Sequence, residues 1–199
     1  MSLRPSVLLL LALLGLSQCD IMTDSPTPAD TLPPASQTGA GTAGCIRDGQ
    51  PWTARINTFG IPSSGAVGAV SDNPPKGPHR LSLSFQKIVD DKSVTNNDTY
   101  IEMELPDVSH PGRYVFDQTP THLGVIGLIG TPAYLTFTDH HTLPEQLCYT
   151  GPTATGYLLV TRFDTAAHVI SGTFEFTARS DQSGRTVHAT EGRFDCKLN

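Results

Sequence analysis

The sequence predicts an all-β protein: an antiparallel β-sandwich or open barrel of about nine strands, after a signal peptide and a disordered tether. Short runs of alternating apolar and polar residues recur along the chain, with turn-forming Gly, Pro, Asn and Asp between them roughly every 8 to 15 residues. No stretch beyond the N-terminal region gives a convincing helical pattern. Alternation with a period of two indicates strands that bury one face only, as antiparallel strands do.

Residues 1–18 are predicted to be a signal peptide. Arg4 precedes an apolar run from Val7 to Leu16. This run is too short to cross a bilayer of roughly 30 Å as a helix, but it fits the apolar core of a signal peptide. The chain is therefore expected to be exported.

The end of this run resembles the bacterial lipoprotein signal, in which an aliphatic residue stands three positions before a cysteine that becomes lipidated. Leu16, Ser17 and Cys19 fit this pattern, whereas Gln18 occupies a position where Gly, Ala or Ser is usual. We expect lipidation of Cys19 to anchor the chain in a membrane. The alternative is an ordinary signal peptide that merely contains a cysteine.

Residues 19–43 are predicted to form a tether. This segment is rich in Pro, Thr, Ser, Gly and Ala, has no apolar pattern, and includes four prolines that disfavour both helix and sheet. We expect it to stay extended and solvated. Residues 44–199 then form a single all-β domain, long enough to bury roughly two-thirds of its surface.

The domain is expected to open with a hairpin around Asp48-Gly49, a dipeptide that suits a tight turn, and Trp52 is predicted to anchor the core. The clearest hairpin is the last one, Ala167–Leu198, with its turn at Ser180–Gly184. The strands between them are predicted at 66–70, 80–89, 99–105, 112–116, 133–138 and 157–163. The uncharged, glycine-rich run 124–130 is a candidate contact surface.

Two glycines in the last hairpin, Gly172 and Gly192, each precede a phenylalanine by two positions. They predict a bulge or a close approach of two backbones. Phe174, Phe176 and Phe194 are predicted to fill the core.

Both ends of the domain resemble a family of small lipoproteins from Bacteroidetes-type bacteria. The start carries LPPA at residues 32–35, GC at 44–45 and DGQPW at 48–52, and the end carries VISGTFEF at 169–176 and TEGRFD at 190–195. The likeness covers roughly residues 32–55 and 156–198. It implies export, lipidation and an all-β domain, and it implies no activity, because none is established for the family.

Apart from Cys19, the chain contains three cysteines, so at most one intramolecular disulfide can form. Cys196 occupies an inward position of the last strand, which suits a packed thiol. We therefore expect a disulfide between Cys45 and Cys148, with Cys45–Cys196 as the alternative.

The sequence offers one candidate metal cluster, Asp139-His140-His141. Adjacent histidines on a strand point to opposite faces, so they could share an ion only in a turn, and a solvated turn is the favoured interpretation. No cofactor site is predicted, and no nucleophile motif or phosphate loop is present in the sequence. Glu102 and Glu104 are expected to be solvated.

The formal net charge of −6 and the scattered basic residues argue against a nucleic-acid partner. The anchor, the tether and the all-β domain together predict a lipoprotein on the periplasmic face or surface of the bacterial cell envelope. Its expected role is that of a binding or structural accessory module, with an unidentified protein or glycan as ligand. The alternative is an envelope hydrolase whose site is assembled from distant strands.

Overall fold

The computed structural model describes residues 31–57, 65–72, 80–89, 98–120, 132–140 and 146–199. These residues form twelve strands and no helix, and so none of them belongs to a helix that could span a membrane. The strands are β1 Thr42–Arg47, β2 Gln50–Thr53, β3 Arg55–Asn57, β4 Val67–Asp72, β5 Arg80–Val89, β6 Thr99–Pro106, β7 Gly112–Phe116, β8 Tyr134–Asp139, β9 Gln146–Tyr149, β10 Gly156–Asp164, β11 Val169–Arg179 and β12 Thr186–Lys197. The signal peptide, His141 and the run 124–130 lie outside the described residues.

The strands belong to one sheet in the order β2-β1-β12-β11-β9-β8-β6-β5-β3, and only the β3–β5 pair is parallel. β4 pairs with β5, and Asn199, just beyond β12, exchanges backbone hydrogen bonds of 3.0 Å with Ala69 and Ser71 of β4. The sheet therefore nearly closes on itself as a barrel. β10 and β7 extend it sideways from β11. The prediction of an all-β fold and an open barrel is confirmed.

The barrel interior is filled by the inward side chains that the alternation predicts. The Phe85 ring lies 5.7 Å from the ring of Phe174 and 5.8 Å from that of Phe194, measured between centroids. Trp52 is 1% exposed, and its Nε1 donates a hydrogen bond of 2.8 Å to Thr99 Oγ1. The predicted core role of Trp52 is confirmed. Its indole N–H is satisfied by this bond, as a buried donor requires.

Both predicted hairpins are present. Asp48 and Gly49 have φ values of 49° and 80°, as a tight turn between β1 and β2 requires. In the last hairpin, a Cβ at Gly172 would overlap the carbonyl oxygen of Leu159, and one at Gly192 would overlap that of Phe174. The predicted close backbone approach is therefore confirmed at both glycines.

The predicted disulfides are not present, because Cys45, Cys148 and Cys196 are all free and buried. Cys45 lies on β1 opposite the irregularity between Thr190 and Arg193 of β12. Cys196 is at least three residues further along β12, about 10 Å at ~3.3 Å per residue, whereas bridged Cα atoms lie less than about 7 Å apart. In the sheet order, β12 and β11 separate Cys45 on β1 from Cys148 on β9.

Candidate ligand-binding face

β7, β10, β11 and β12 present a surface to the outside of the barrel, which we call the outer face. Their register aligns its side chains in rows: Tyr157 pairs with Val115 on one side and Glu175 on the other, and Thr173 pairs with Arg193. The outer face consists of Arg113, Val115, Tyr157, Leu159, Thr173, Glu175, Thr177, His188, Glu191 and Arg193.

Three adjoining cavities of about 370, 310 and 260 Å³ form a groove across this face. The first and second share Ala35, Thr173 and Arg193, and the second and third share Tyr157 and Glu175. The groove follows from side-chain length, because the short Thr173 of β11 lies between the longer Leu159 of β10 and Arg193 of β12.

The outer face also carries exposed apolar side chains. Val115 is 41% exposed and Leu159 is 38% exposed. Among the described residues, Val70 is the only other large apolar side chain that is exposed to this extent. Val115 and Leu159 lie on the adjacent strands β7 and β10, beside the groove. Apolar side chains that are left in water next to a cavity are typical of a surface that binds a partner.

The charged groups of the outer face are largely paired with one another. The Arg113 guanidinium lies 4.3 Å from the centroid of the Tyr157 ring, and Arg193 Nη2 lies 3.6 Å from Glu191 Oε2. Burial raises the pKa of Tyr157, and the negative charge of Glu175 and a hydrogen bond to it raise this pKa further. Tyr157 therefore keeps its proton at neutral pH and can donate a hydrogen bond.

We call residues 31–41 the strap, and its residues 34–37 line one end of the groove. The strap is held by Asp195 of β12, which is 2% exposed. The Asp195 carboxylate accepts hydrogen bonds from Ser36 Oγ at 2.6 Å and from three backbone amides, those of Thr38 at 2.9 Å, Gly39 at 2.8 Å and Ala40 at 3.2 Å. Burial by itself would raise the pKa of this carboxyl, but these hydrogen bonds outweigh it and the pKa lies below its usual value.

Further contacts tie the strap to β10. The Arg162 guanidinium donates to the backbone oxygen of Gln37, and Gln37 Nε2 donates to Thr161 Oγ1 at 3.0 Å. We expected a solvated tether up to Ala43, but from Thr31 onward the chain is attached to the barrel, and β1 already begins at Thr42. The reason is that Asp195 and Arg162 bind the polar backbone of the strap, and such backbone contacts leave no periodic pattern in the sequence.

The candidate metal residues are engaged in other contacts. Asp139 is 5% exposed, and its Oδ2 accepts a hydrogen bond of 2.8 Å from Arg185 Nη1 within an ion pair. The His140 ring packs edge-on against the Tyr100 ring at 5.2 Å. Within the described ranges, no three His, Cys, Asp or Glu side chains come together as a possible metal site.

The closest approach to a catalytic pair on the outer face is Thr177 Oγ1 with His188 Nδ1, at 3.1 Å. The two residues pair directly across β11 and β12, and within the described ranges no hydrogen bond or ion pair links a carboxylate to the His188 ring. An activated hydroxyl needs a base that a third group orients. We therefore interpret this contact as a cross-strand hydrogen bond.

Glu104 was expected to be solvated, but it is 5% exposed. Ser82 Oγ donates to its Oε2 at 2.8 Å, and Arg80 Nη2 lies 3.7 Å from the same oxygen. Alternation correctly places Glu104 on the outside of the barrel. There its side chain and that of Arg80 are both buried. Sequence reasoning missed this pair because it depends on the pairing of Arg80 with Pro106 across β5 and β6.

Comparison of the chain with protein-family models, with curated proteins and with solved structures finds no match.

Proposed function

We propose that this protein is a lipid-anchored binding module of the bacterial cell envelope, and that the groove of the outer face holds its ligand. The observation that carries the proposal is the groove itself, three adjoining cavities, of which one is lined by Val115. Leu159 lies next to the groove, since it pairs with Thr173 of the groove floor, and Val115 and Leu159 are two of the most exposed large apolar side chains of the described chain. The resemblance to small Bacteroidetes-type lipoproteins supports the export and anchoring.

Binding is favoured over hydrolysis by the chemistry of the groove. Its acids and bases are paired or stacked: Arg193 with Glu191, and Arg113 with Tyr157. Paired charges orient a ligand and select it by shape and hydrogen bonding. Catalysis instead needs a group with a pKa shifted toward the working pH, next to the atom that reacts. Tyr157, the groove residue with a resolved shift, has its pKa raised away from neutrality.

The strap limits how far the domain would lie from the membrane. With Cys19 lipidated and Thr31 attached to Thr53 Oγ1 at 2.9 Å, only residues 20–30 would separate the anchor from the domain. A fully extended chain covers at most about 3.5 Å per residue, so the span would be at most about 40 Å. The groove would therefore face ligands at or near the membrane surface.

The anchor is tested by palmitate labelling in a bacterial host that processes lipoproteins. Labelling should be lost in Cys19→Ala and kept in Cys45→Ala, because Cys45 lies in the core. Labelling that persists in Cys19→Ala would contradict the anchor.

The binding face is tested with Leu159→Asp. The full chain is applied to a glycan array and a peptide array, and the ligands it retains are then measured against Leu159→Asp and the matched variant Val70→Asp. Val70 is 46% exposed on β4, away from the groove. We expect Leu159→Asp to abolish binding and Val70→Asp to keep it. Equal binding by the two variants would place the ligand elsewhere.

A further inference from the structure

We propose that the ligand of the groove is an extended polypeptide with apolar side chains at alternate positions, which lies along β11 as a continuation of the strap. This inference rests on the proposed binding function of the outer face and adds the class of its ligand.

The length of the groove suits a short extended segment. Its floor runs along β11 from Thr173 to Thr177. Four residue steps at about 3.3 Å give ~13 Å, the length of four to five residues of extended chain. Cavities of this total size accommodate such a segment, whereas a folded partner domain would need a larger surface.

The two walls of the groove differ in chemistry. The wall formed by β7 and β10 carries Val115 and Leu159, with Arg113 stacked on Tyr157, and the wall formed by β12 carries Glu191 and Arg193. An extended chain sends successive side chains to opposite sides. With apolar side chains at every second position, it would bury them against Val115 and Leu159 and direct its polar side chains toward the charged wall.

The strap shows that a polypeptide segment already packs at one end of the groove. Ala35 lines both the first and the second cavity, so a segment in the second cavity would adjoin the strap. The barrel grips the strap largely through its backbone: Arg162 donates to a backbone oxygen, and Asp195 accepts three backbone amides. Arg162 and Asp195 lie outside the groove lining, so a second chain next to the strap would be held by the groove's own side chains.

A glycan fits this groove less well. Sugar rings commonly stack on an open aromatic face, but the face of Tyr157, the aromatic ring on this surface, is covered by Arg113 at 4.3 Å. The mixed charges of the face, with Arg113 and Arg193 against Glu175 and Glu191, also give no single sign that would select a charged polysaccharide.

The test compares two libraries of immobilised octapeptides with identical composition. In one, apolar residues occupy alternate positions; in the other, they are contiguous. The full chain is applied to both libraries and to a glycan array. We expect peptides of the alternating library to be bound at least about tenfold more tightly than their contiguous isomers, a preference of ~1.4 kcal/mol. This binding should be lost in Leu159→Asp and Val115→Asp and kept in Val70→Asp.

The outcomes separate this inference from the proposed function. Binding of glycans alone, sensitive to Leu159→Asp, would overturn the peptide inference and leave the outer face as a binding site. Equal binding of both peptide libraries would also overturn it. Binding of neither peptides nor glycans would overturn both proposals. Urea unfolding of each variant checks that Leu159→Asp and Val115→Asp remain folded. Loss of binding in both variants would show that the effect does not come from a local structural change at one position.

Discussion

Replacement of Asp195 by asparagine tests whether the strap belongs to the fold. The Asp195 carboxylate accepts from Ser36 Oγ, Thr38 Oγ1 and the Thr38 and Ala40 amides through Oδ2, and from the Gly39 amide through Oδ1. An asparagine keeps one acceptor oxygen and turns an NH₂ group toward the remaining donor. It therefore loses one charge-assisted hydrogen bond and makes the other four neutral.

The expected cost follows from these five bonds. A hydrogen bond to a charged group contributes ~1.5–3 kcal/mol and a neutral one ~1 kcal/mol, so one bond lost and four weakened amount to about 3.5 kcal/mol at the low end of these ranges. The loss is limited because the strap can detach and let water reach the side chain. The assay is the free energy of unfolding in urea at pH 7, together with the rate of proteolytic cleavage within residues 31–41, which detachment would accelerate.

The matched control is Ser171→Ala. Ser171 pairs with Asp195 across β11 and β12, is fully buried, and has an Oγ without a hydrogen-bond partner in the described part of the chain. Because removal of an unpaired hydroxyl costs little, this variant should stay within about 0.5 kcal/mol of the unmodified protein. If Asp195→Asn changed the free energy of unfolding as little as Ser171→Ala does, and if its strap were no easier to cleave, the assignment of the strap to the fold would be refuted.

The Asp195 effect should also depend on pH. Its pKa is lower in the folded protein than in the unfolded chain, so its stabilisation is complete above the usual aspartate pKa of about 3.9. The stabilisation is lost as the pH falls through the lowered folded-state pKa. The difference in stability between Asp195→Asn and the unmodified protein should therefore shrink from pH 7 toward pH 3. A difference that stayed constant would show that the charge of Asp195 is not what holds the strap.

Two further predictions concern the barrel core. Gly172→Ala should lower the free energy of unfolding by about 2 kcal/mol or more, because the new Cβ would overlap the Leu159 carbonyl oxygen and lie 2.9 Å from Phe194 Cε1. Gly68→Ala is the control and should change stability little, because the atom nearest to its new Cβ would be 4.0 Å away. Equal urea midpoints for the two variants would contradict this account. The core thiols should react slowly with iodoacetamide in the native protein, because burial raises the pKa of Cys45 and of Cys196 to about 12. After unfolding without a reductant, mass spectrometry should find all three core cysteines alkylated, and a pair that is alkylated only after reduction would reveal a disulfide.

Much of the fold could be predicted from local pattern. Alternation located β5 and β7 at their observed bounds, and the Asp48-Gly49 turn located the first hairpin. β3 and β9 were missed because they have three and four residues, too few to show a period of two. β3 also pairs in parallel with β5, a long-range contact for which the local sequence carries no signal.

The sites were harder to predict because they depend on which strands become neighbours. Asp195 follows the outward alternation of β12, which predicts a solvated carboxylate, and only the strap buries it. One signal was available for Asp139: it continues the inward series of Leu135 and Phe137, and this places its carboxylate inside the barrel rather than in a solvated turn. The groove is formed by side chains that align across four neighbouring strands, β7, β10, β11 and β12. Of these strands, only β11 and β12 were predicted to pair.

The central claim is that the ligand binds in the groove of the outer face. The most direct test is methyl NMR of the full chain with labelled leucine and valine, titrated with the tightest ligand from the arrays. The account predicts that the methyl resonances of Leu159 and Val115 shift in proportion to occupancy, whereas those of Val70 stay in place. Shifts at Val70 with unchanged resonances at Leu159 and Val115 would contradict it.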